Sequence, residues 1–99
     1  MDIFTEKTIL SVTRLTSLIS ELLEENLYQV WVEGEVSNLV TASSGHIYFT
    51  LKDSNAMLRC IMFRSSAAAI KFRPENGMSL VLRGRISVYD QRGEYQLVV

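Results

Sequence analysis

The 99-residue sequence contains one cysteine, one proline, one histidine and one tryptophan, and no apolar run long enough to cross a bilayer. The single Cys60 can form no internal disulfide and cannot hold a metal alone, which suits a reducing compartment. A membrane-spanning helix needs about 20 consecutive apolar residues. The first ten residues carry Asp2, Glu6 and Lys7 rather than the apolar core of a secretory signal. The expectation is a cytoplasmic protein with no membrane attachment. The lone His46 has no nucleophile or second ligand near it in sequence. Glu33 and Glu35 share one face of a predicted strand, and Asp53 ends the next, but no third acid or histidine stands at a metal-ligand spacing. No catalytic constellation, metal or other cofactor is expected in this chain.

At 47% hydrophobic and 21% charged, the chain describes one globular domain with room for a single core. Its net charge of −1 argues against a uniformly basic surface, yet the charge is uneven. Residues 1–35 carry −5 and residues 36–99 carry +4, and the basic part is the part patterned as strands. Such asymmetry permits a face that binds a polyanion.

The segment SVTRLTSLISELLEEN places Leu15, Leu18, Ile19, Leu22 and Leu23 on one helical stripe, with Ser11 or Thr13 as N-cap. Glu21, Glu24 and Glu25 crowd the end of this helix where the macrodipole disfavours anions. From Tyr28 the period changes to two, predicting a first strand over 28–37 with Trp31, Glu33 and Glu35 on one face. By parity, Trp31 is expected to pack under the helix. A loop containing Asn38, Thr41, Ser43, Ser44 and Gly45 leads to HIYFTLK, and Asp53-Ser54-Asn55 turns the chain into AMLRCIMF, a hairpin of strands two and three. Ser65 or Ser66 can cap a short helix over Ala67–Ile70, and a second hairpin over 78–99 turns at Asp90–Gly93. A mainly β fold follows: a five-stranded OB-type barrel, preceded by an amphipathic helix, with a short helix between strands three and four. Residues 1–26 form the extension and helix, and 27–99 the barrel. Gly34 and Gly84, inside strand patterns, fit the bends of a small barrel.

The ordered set VWVEGEVSN, SSGHIYFTLKD, LRCIMF and GMSLVLRGRISVYDQRGEYQLVV, with SVTRLTSLISELLE before it, closely resembles the N-terminal domain of the exodeoxyribonuclease VII large subunit from about residue 10 to 99. The resemblance implies a bacterial enzyme that degrades single-stranded DNA to oligonucleotides from either end. It also implies that the nuclease domain and the coiled-coil region recruiting the small subunits lie beyond Val99, so this stretch binds DNA without cutting it. MDIFTEKTIL adds little to the match and is given no role.

The strand alternation aims His46, Tyr48, Thr50 and Lys52 outward, with Met57, Arg59, Ile61 and Phe63 beside them, while Ile47, Phe49, Leu51, Leu58, Cys60 and Met62 point inward. Aromatic rings interleaved with cations hold single-stranded nucleic acid, since every base has a face to stack and every phosphate attracts Lys or Arg. The same rings can instead serve as ordinary cross-strand pairs. His46, Tyr48, Lys52, Arg59 and Phe63, with Arg85, Tyr89 and Arg92 from the last hairpin, are the DNA-binding candidates. Ser37, Asn38, Ser43 and Ser44 are the loop donors for phosphate. For His46 an alternative is ordering the loop that precedes it. The competing reading of the chain is a protein-interaction module using Met57, Ile61 and Phe63. A final strand too short to close the barrel would favour self-association by strand exchange.

Overall fold

The computed structural model describes residues 7–89 and 91–99. Its elements are α1 (Val12–Asn26), β1 (Val30–Thr41), β2 (Ile47–Lys52), β3 (Met57–Met62), α2 (Arg64–Ala69), β4 (Ser79–Tyr89) and β5 (Glu94–Val98). The strands close into a barrel in the order β1-β2-β3-β5-β4. Only the β3–β5 contact is parallel, pairing Cys60 with Leu97 and Ile61 with Val98, and the N–H of Val99 adds a bond to the carbonyl of Ile61. The last strand therefore does close the ring.

Alternation fills the interior. Ile47, Phe49 and Leu51 of β2 meet Cys60 and Met62 of β3, Leu82 and Ile86 of β4, Leu97 of β5 and Val36 of β1 in one buried cluster. Removing apolar surface from water at about 25 cal/mol per Å² is what holds so small a barrel together. Gly84 sits where β4 stops pairing with β1 and begins pairing with β5. A side chain there would run into the carbonyl oxygen of Val98. At Gly34 an added Cβ would lie 2.7 Å from Leu51 Cγ and 3.0 Å from the Lys52 carbonyl oxygen. Both glycines allow a close backbone approach that any other residue would force apart.

β1 runs four residues past its expected end. Its pairing with β2 shifts between Ser37 and Val40, and Asn38 takes a left-handed φ of 52°. This bulge absorbs the extra residue and lets the strand continue to Thr41. Asn38 tolerates that conformation because a short polar side chain adapts to the left-handed region. The bulge is braced from behind: Asn76 Oδ1 accepts the N–H of Leu39 at 3.0 Å, Val36 N–H donates to the Met78 carbonyl, and Gly77 N–H donates to the Val36 carbonyl. The first loop is consequently only residues 42–46, and Ser37 and Asn38 belong to the strand.

Ser11 caps α1, its Oγ accepting the N–H of Arg14 at 3.0 Å. The helix does not cover Trp31, which is 67% exposed with the Arg83 guanidinium 5.8 Å from its ring centroid. Instead α1 is anchored by its C-terminal end to β4. Glu24 Oε2 accepts the N–H of Val88 at 3.1 Å, and the Leu27 carbonyl accepts that of Ile86 at 2.8 Å. One of the crowded glutamates thus caps an open strand edge, a gain that offsets its unfavourable place in the helix dipole. From that anchor only Leu23 of the stripe packs on the core, and Val12, Leu15, Ile19 and Leu22 stay exposed.

Candidate nucleic-acid interface

A groove of about 730 Å³ crosses the outer face of β2, β3 and β5. Register explains its composition. Tyr48 lies opposite Ile61 and Val40, and Thr50 opposite Arg59 and Ser37. Tyr89 lies opposite Glu94, and Ser87 opposite Gln96. Tyr48, Tyr89 and Tyr95 supply three rings, each between 44% and 56% exposed. Arg59 and Arg92 supply the cations, and Asn38, Thr50 and Gln96 supply neutral donors and acceptors. Met57 and Val40 extend the apolar lining. A smaller hollow of about 290 Å³ shares Met57, Arg59, Glu94 and Tyr95 and continues the groove toward Gly93.

The β4–β5 tip reaches this groove through Arg92, and the β1–β2 loop starts just past its lining residue Val40. Residues 42–46 turn through Ala42, whose carbonyl accepts the N–H of Gly45, and Ser44 Oγ accepts the N–H of His46 at 3.5 Å. At the other tip the Tyr89 carbonyl accepts both Arg92 and Gly93 N–H groups, with Gly93 at φ 64°. Asp90, in the turn of this hairpin, lies outside the described residues. At the far end of the β2–β3 hairpin, Asp53 Oδ1 accepts the N–H groups of Asn55 and Ala56 at 2.8 and 2.9 Å. These bonds hold its carboxyl below the usual carboxylate range.

Five of the twelve sequence candidates line the main groove: Tyr48, Arg59, Tyr89, Asn38 from the bulge and Arg92 at the hairpin tip. The others stand elsewhere. Lys52 shares the outward face but pairs with Glu35 at 3.6 Å beyond the groove's edge. Arg85 faces outward opposite Val98 and contributes nothing to the lining. Ser37 sits in β1, and Ser43 and Ser44 are exposed at the loop tip. His46 is occupied: its Nδ1 accepts the N–H of Arg64 at 2.9 Å, and its ring meets Phe63 edge to face at 5.3 Å. This bond caps the first turn of α2, which begins one or two residues before Ser65 and Ser66 and has no side-chain cap of its own. Ile61 keeps its outward parity but is buried, because β5 pairs along the second edge of β3 and sets it between Tyr48 and Val98.

Three lining residues had no place in the sequence reading. Val40 follows the unforeseen bulge; Gln96 is legible from a four-residue turn at 90–93, which sets it opposite Ser87; Tyr95 has inward parity but stands past the end of the core, so its ring opens into the groove. Glu94 is the groove's acid, its Oε2 3.4 Å from Arg59 Nη1. Cys60 lies beneath the groove floor, where burial pushes its thiol up to about 11. No three His, Cys, Asp or Glu side chains gather to hold a metal among the described residues, and no described helix is long and apolar enough to cross a membrane.

Residues 10–99 match the family described as OB-fold nucleic acid binding domain. The chain belongs to that family. Along its whole length this OB-fold domain is 68% identical to the exodeoxyribonuclease 7 large subunit of Geobacter sulfurreducens and covers 22% of that protein. Against the exodeoxyribonuclease 7 large subunit of Pectobacterium atrosepticum it is 47% identical over 98 residues, 21% of that chain. It therefore spans about a fifth of the length of these relatives. Among solved structures, the fold is similar to a chain of the S. pombe Stn1-Ten1 complex, with TM-score 0.56 and 19% identity over 72% of this chain and 53% of that one. It is equally similar to asparaginyl-tRNA synthetase from Pyrococcus horikoshii, with TM-score 0.56 and 15% identity over 80% of this chain and 20% of that one. At such identities the likeness is one of fold.

Proposed function

We propose that this OB-fold is the single-stranded-DNA-binding segment of an exodeoxyribonuclease VII large subunit, presenting DNA to a nuclease region outside the 99 residues. The observation that carries the reading is the groove itself. Three partly exposed tyrosine rings and two arginines, one of them at the β4–β5 hairpin tip, converge over β2, β3 and β5, the face by which OB barrels bind such ligands. Rings stack bases without regard to sequence and arginines take phosphates, which is the requirement for a nuclease that must accept any strand. Binding of this kind uses side chains alone and calls on no metal or cofactor. The parent enzyme would work in the bacterial cytoplasm, with its small subunits recruited through regions beyond this chain.

The test is fluorescence anisotropy of a labelled single-stranded oligonucleotide, with duplex DNA and RNA as competitors. Single-strand DNA is expected to bind with strong salt dependence. Tyr48→Ala should cost roughly 1–3 kcal/mol through one lost stack, and Arg59→Gln should lower the salt slope by about 0.7. A folded protein that binds no DNA at low salt would sink the reading. The exposed stripe of Val12, Leu15, Ile19 and Leu22 on α1 favours the second reading, a module for packing between domains or subunits. Self-association of the folded chain without DNA binding would decide for it.

A further inference from the structure

From Ser54 to Pro74 the chain has four basic residues and no acid, although its net charge is −1. Arg59 lies in the groove, and the other three do not. Arg64, Lys71 and Arg73 are exposed at the α2 end of the barrel and form no ion pair among the described residues. Phe63 and Phe72, 39% and 51% exposed, stand among them.

Local structure brings these residues to one edge. α2 has only six residues, about 9 Å of helix, so Arg64 at its start and Lys71 just past its end stay close. Arg64 is fixed at both ends of its side-chain root. Its N–H is held by His46, and its Cγ would meet a Cβ at Gly45 at 2.9 Å, so the stem lies against the first hairpin loop. That loop joins β1 and β2 just past Val40 and Tyr48, which line the groove. Along the outward face of the β2–β3 hairpin, the Thr50/Arg59 pair is followed by Tyr48/Ile61 and then by His46 against Phe63. Arg64 follows Phe63 directly in the chain, and Lys71 and Arg73 come just after the far end of the short α2.

We infer that Phe63, Arg64, Lys71, Phe72 and Arg73 form a second contact site for single-stranded DNA, taking the stretch of strand that leaves the groove past residues 42–46. The inference rests on the groove being the primary DNA site. Its chemistry is phosphate neutralisation by three cations free of internal partners, with Phe72 offering a face for a base. It also gives His46 a role consistent with its bonds: by ordering the loop and the start of α2, it joins the two sites and need not touch DNA.

The test compares oligonucleotides of about 6 and about 20 nucleotides, the first within the range one OB barrel covers and the second longer than it. The double variant Lys71→Gln/Arg73→Gln changes two exposed side chains, and a thermal melt verifies its fold. It should bind the short strand within about twofold of the wild type. It should bind the long one roughly five- to tenfold more weakly at low salt, with a salt slope reduced by about 1.4 for two lost phosphate contacts. Unchanged binding of the long strand, or equal losses on both, would overturn the second site while leaving the groove intact. Failure of the wild type to bind either strand would instead refute the groove and, with it, this extension.

Discussion

Glu94→Gln should tighten DNA binding, which is an unusual expectation for a change inside a binding site. Glu94 Oε2 lies 3.4 Å from Arg59 Nη1, and the two side chains are 50% and 70% exposed. A phosphate can reach Arg59 only by displacing or sharing it with this carboxylate. An exposed pair of this kind is worth at most about 1 kcal/mol. Once displaced, the carboxylate still repels the bound phosphate. At a separation of about 6 Å in water the repulsion is about 0.7 kcal/mol, less when salt screens it. Glutamine keeps the shape and the hydrogen-bonding capacity and removes both costs. The expected gain is about 1 kcal/mol, or roughly fivefold in Kd. Because the gain is electrostatic, it should shrink as salt rises from about 50 to about 200 mM, and the salt slope should steepen as Arg59 becomes fully available. Anisotropy titrations at the two salt concentrations measure both quantities. Weaker binding by Glu94→Gln would refute the reasoning and assign Glu94 instead to holding Arg59 in its binding geometry. The melting temperature should barely move, since exposed surface changes fall within about 0.5 kcal/mol.

Two further outcomes follow from atoms away from the rings. Asn76→Ala leaves the Leu39 N–H at the β1 bulge without its acceptor and should cost about 1 kcal/mol in denaturant unfolding, while Asn76→Asp, which keeps the oxygen, should recover most of it; equal losses in both variants would contradict the bracing role. The buried Cys60 thiol should alkylate slowly at pH 8 in the folded chain and rapidly once unfolded. Its raised folded pKa, about 11, means the unfolded chain loses the proton first, so stability is full below about pH 9 and declines between there and 11; a urea midpoint that holds constant across that window in wild type, or declines equally in Cys60→Ala, would refute this.

The barrel was legible because its information is local. Period-two runs with Gly and Asn-Asp-Ser punctuation fix strands, and their parity fixes which residues face the core: Ile47, Phe49, Leu51, Cys60 and Met62 are all buried as alternation requires. Tyr48 and Arg59 follow from the same parity, so the centre of the groove was readable from one hairpin. What failed depended on contacts distant in sequence. The bulge at Asn38 is held by Asn76, 37 residues from the amide it accepts, and nothing in the strand's own pattern announces it. Ile61 has outward parity, yet a parallel strand from the chain's last residues buries it. The placement of α1 turned on Glu24 finding the free N–H of Val88, so the helix docks by its end rather than by its stripe.

That docking also separates two surfaces which the sequence had left overlapping. The apolar patch proposed for protein contacts was Met57, Ile61 and Phe63, on the same hairpin as the DNA candidates. In the structure Ile61 is buried, Met57 lines the groove and Phe63 is engaged by His46. A run of exposed apolar residues, Val12, Leu15, Ile19 and Leu22, lies instead on α1, a helix tied to the β4 edge near Val88. The apolar stripe of α1 therefore lies on a different element from the groove, and the two readings stop being alternatives for one face. Substitutions in the α1 stripe should leave the groove's affinity unchanged, because none of these residues lines it. Loss of DNA binding on changing Leu15 and Ile19 to polar residues, in a chain that still folds, would show that the helix and the groove act as one surface.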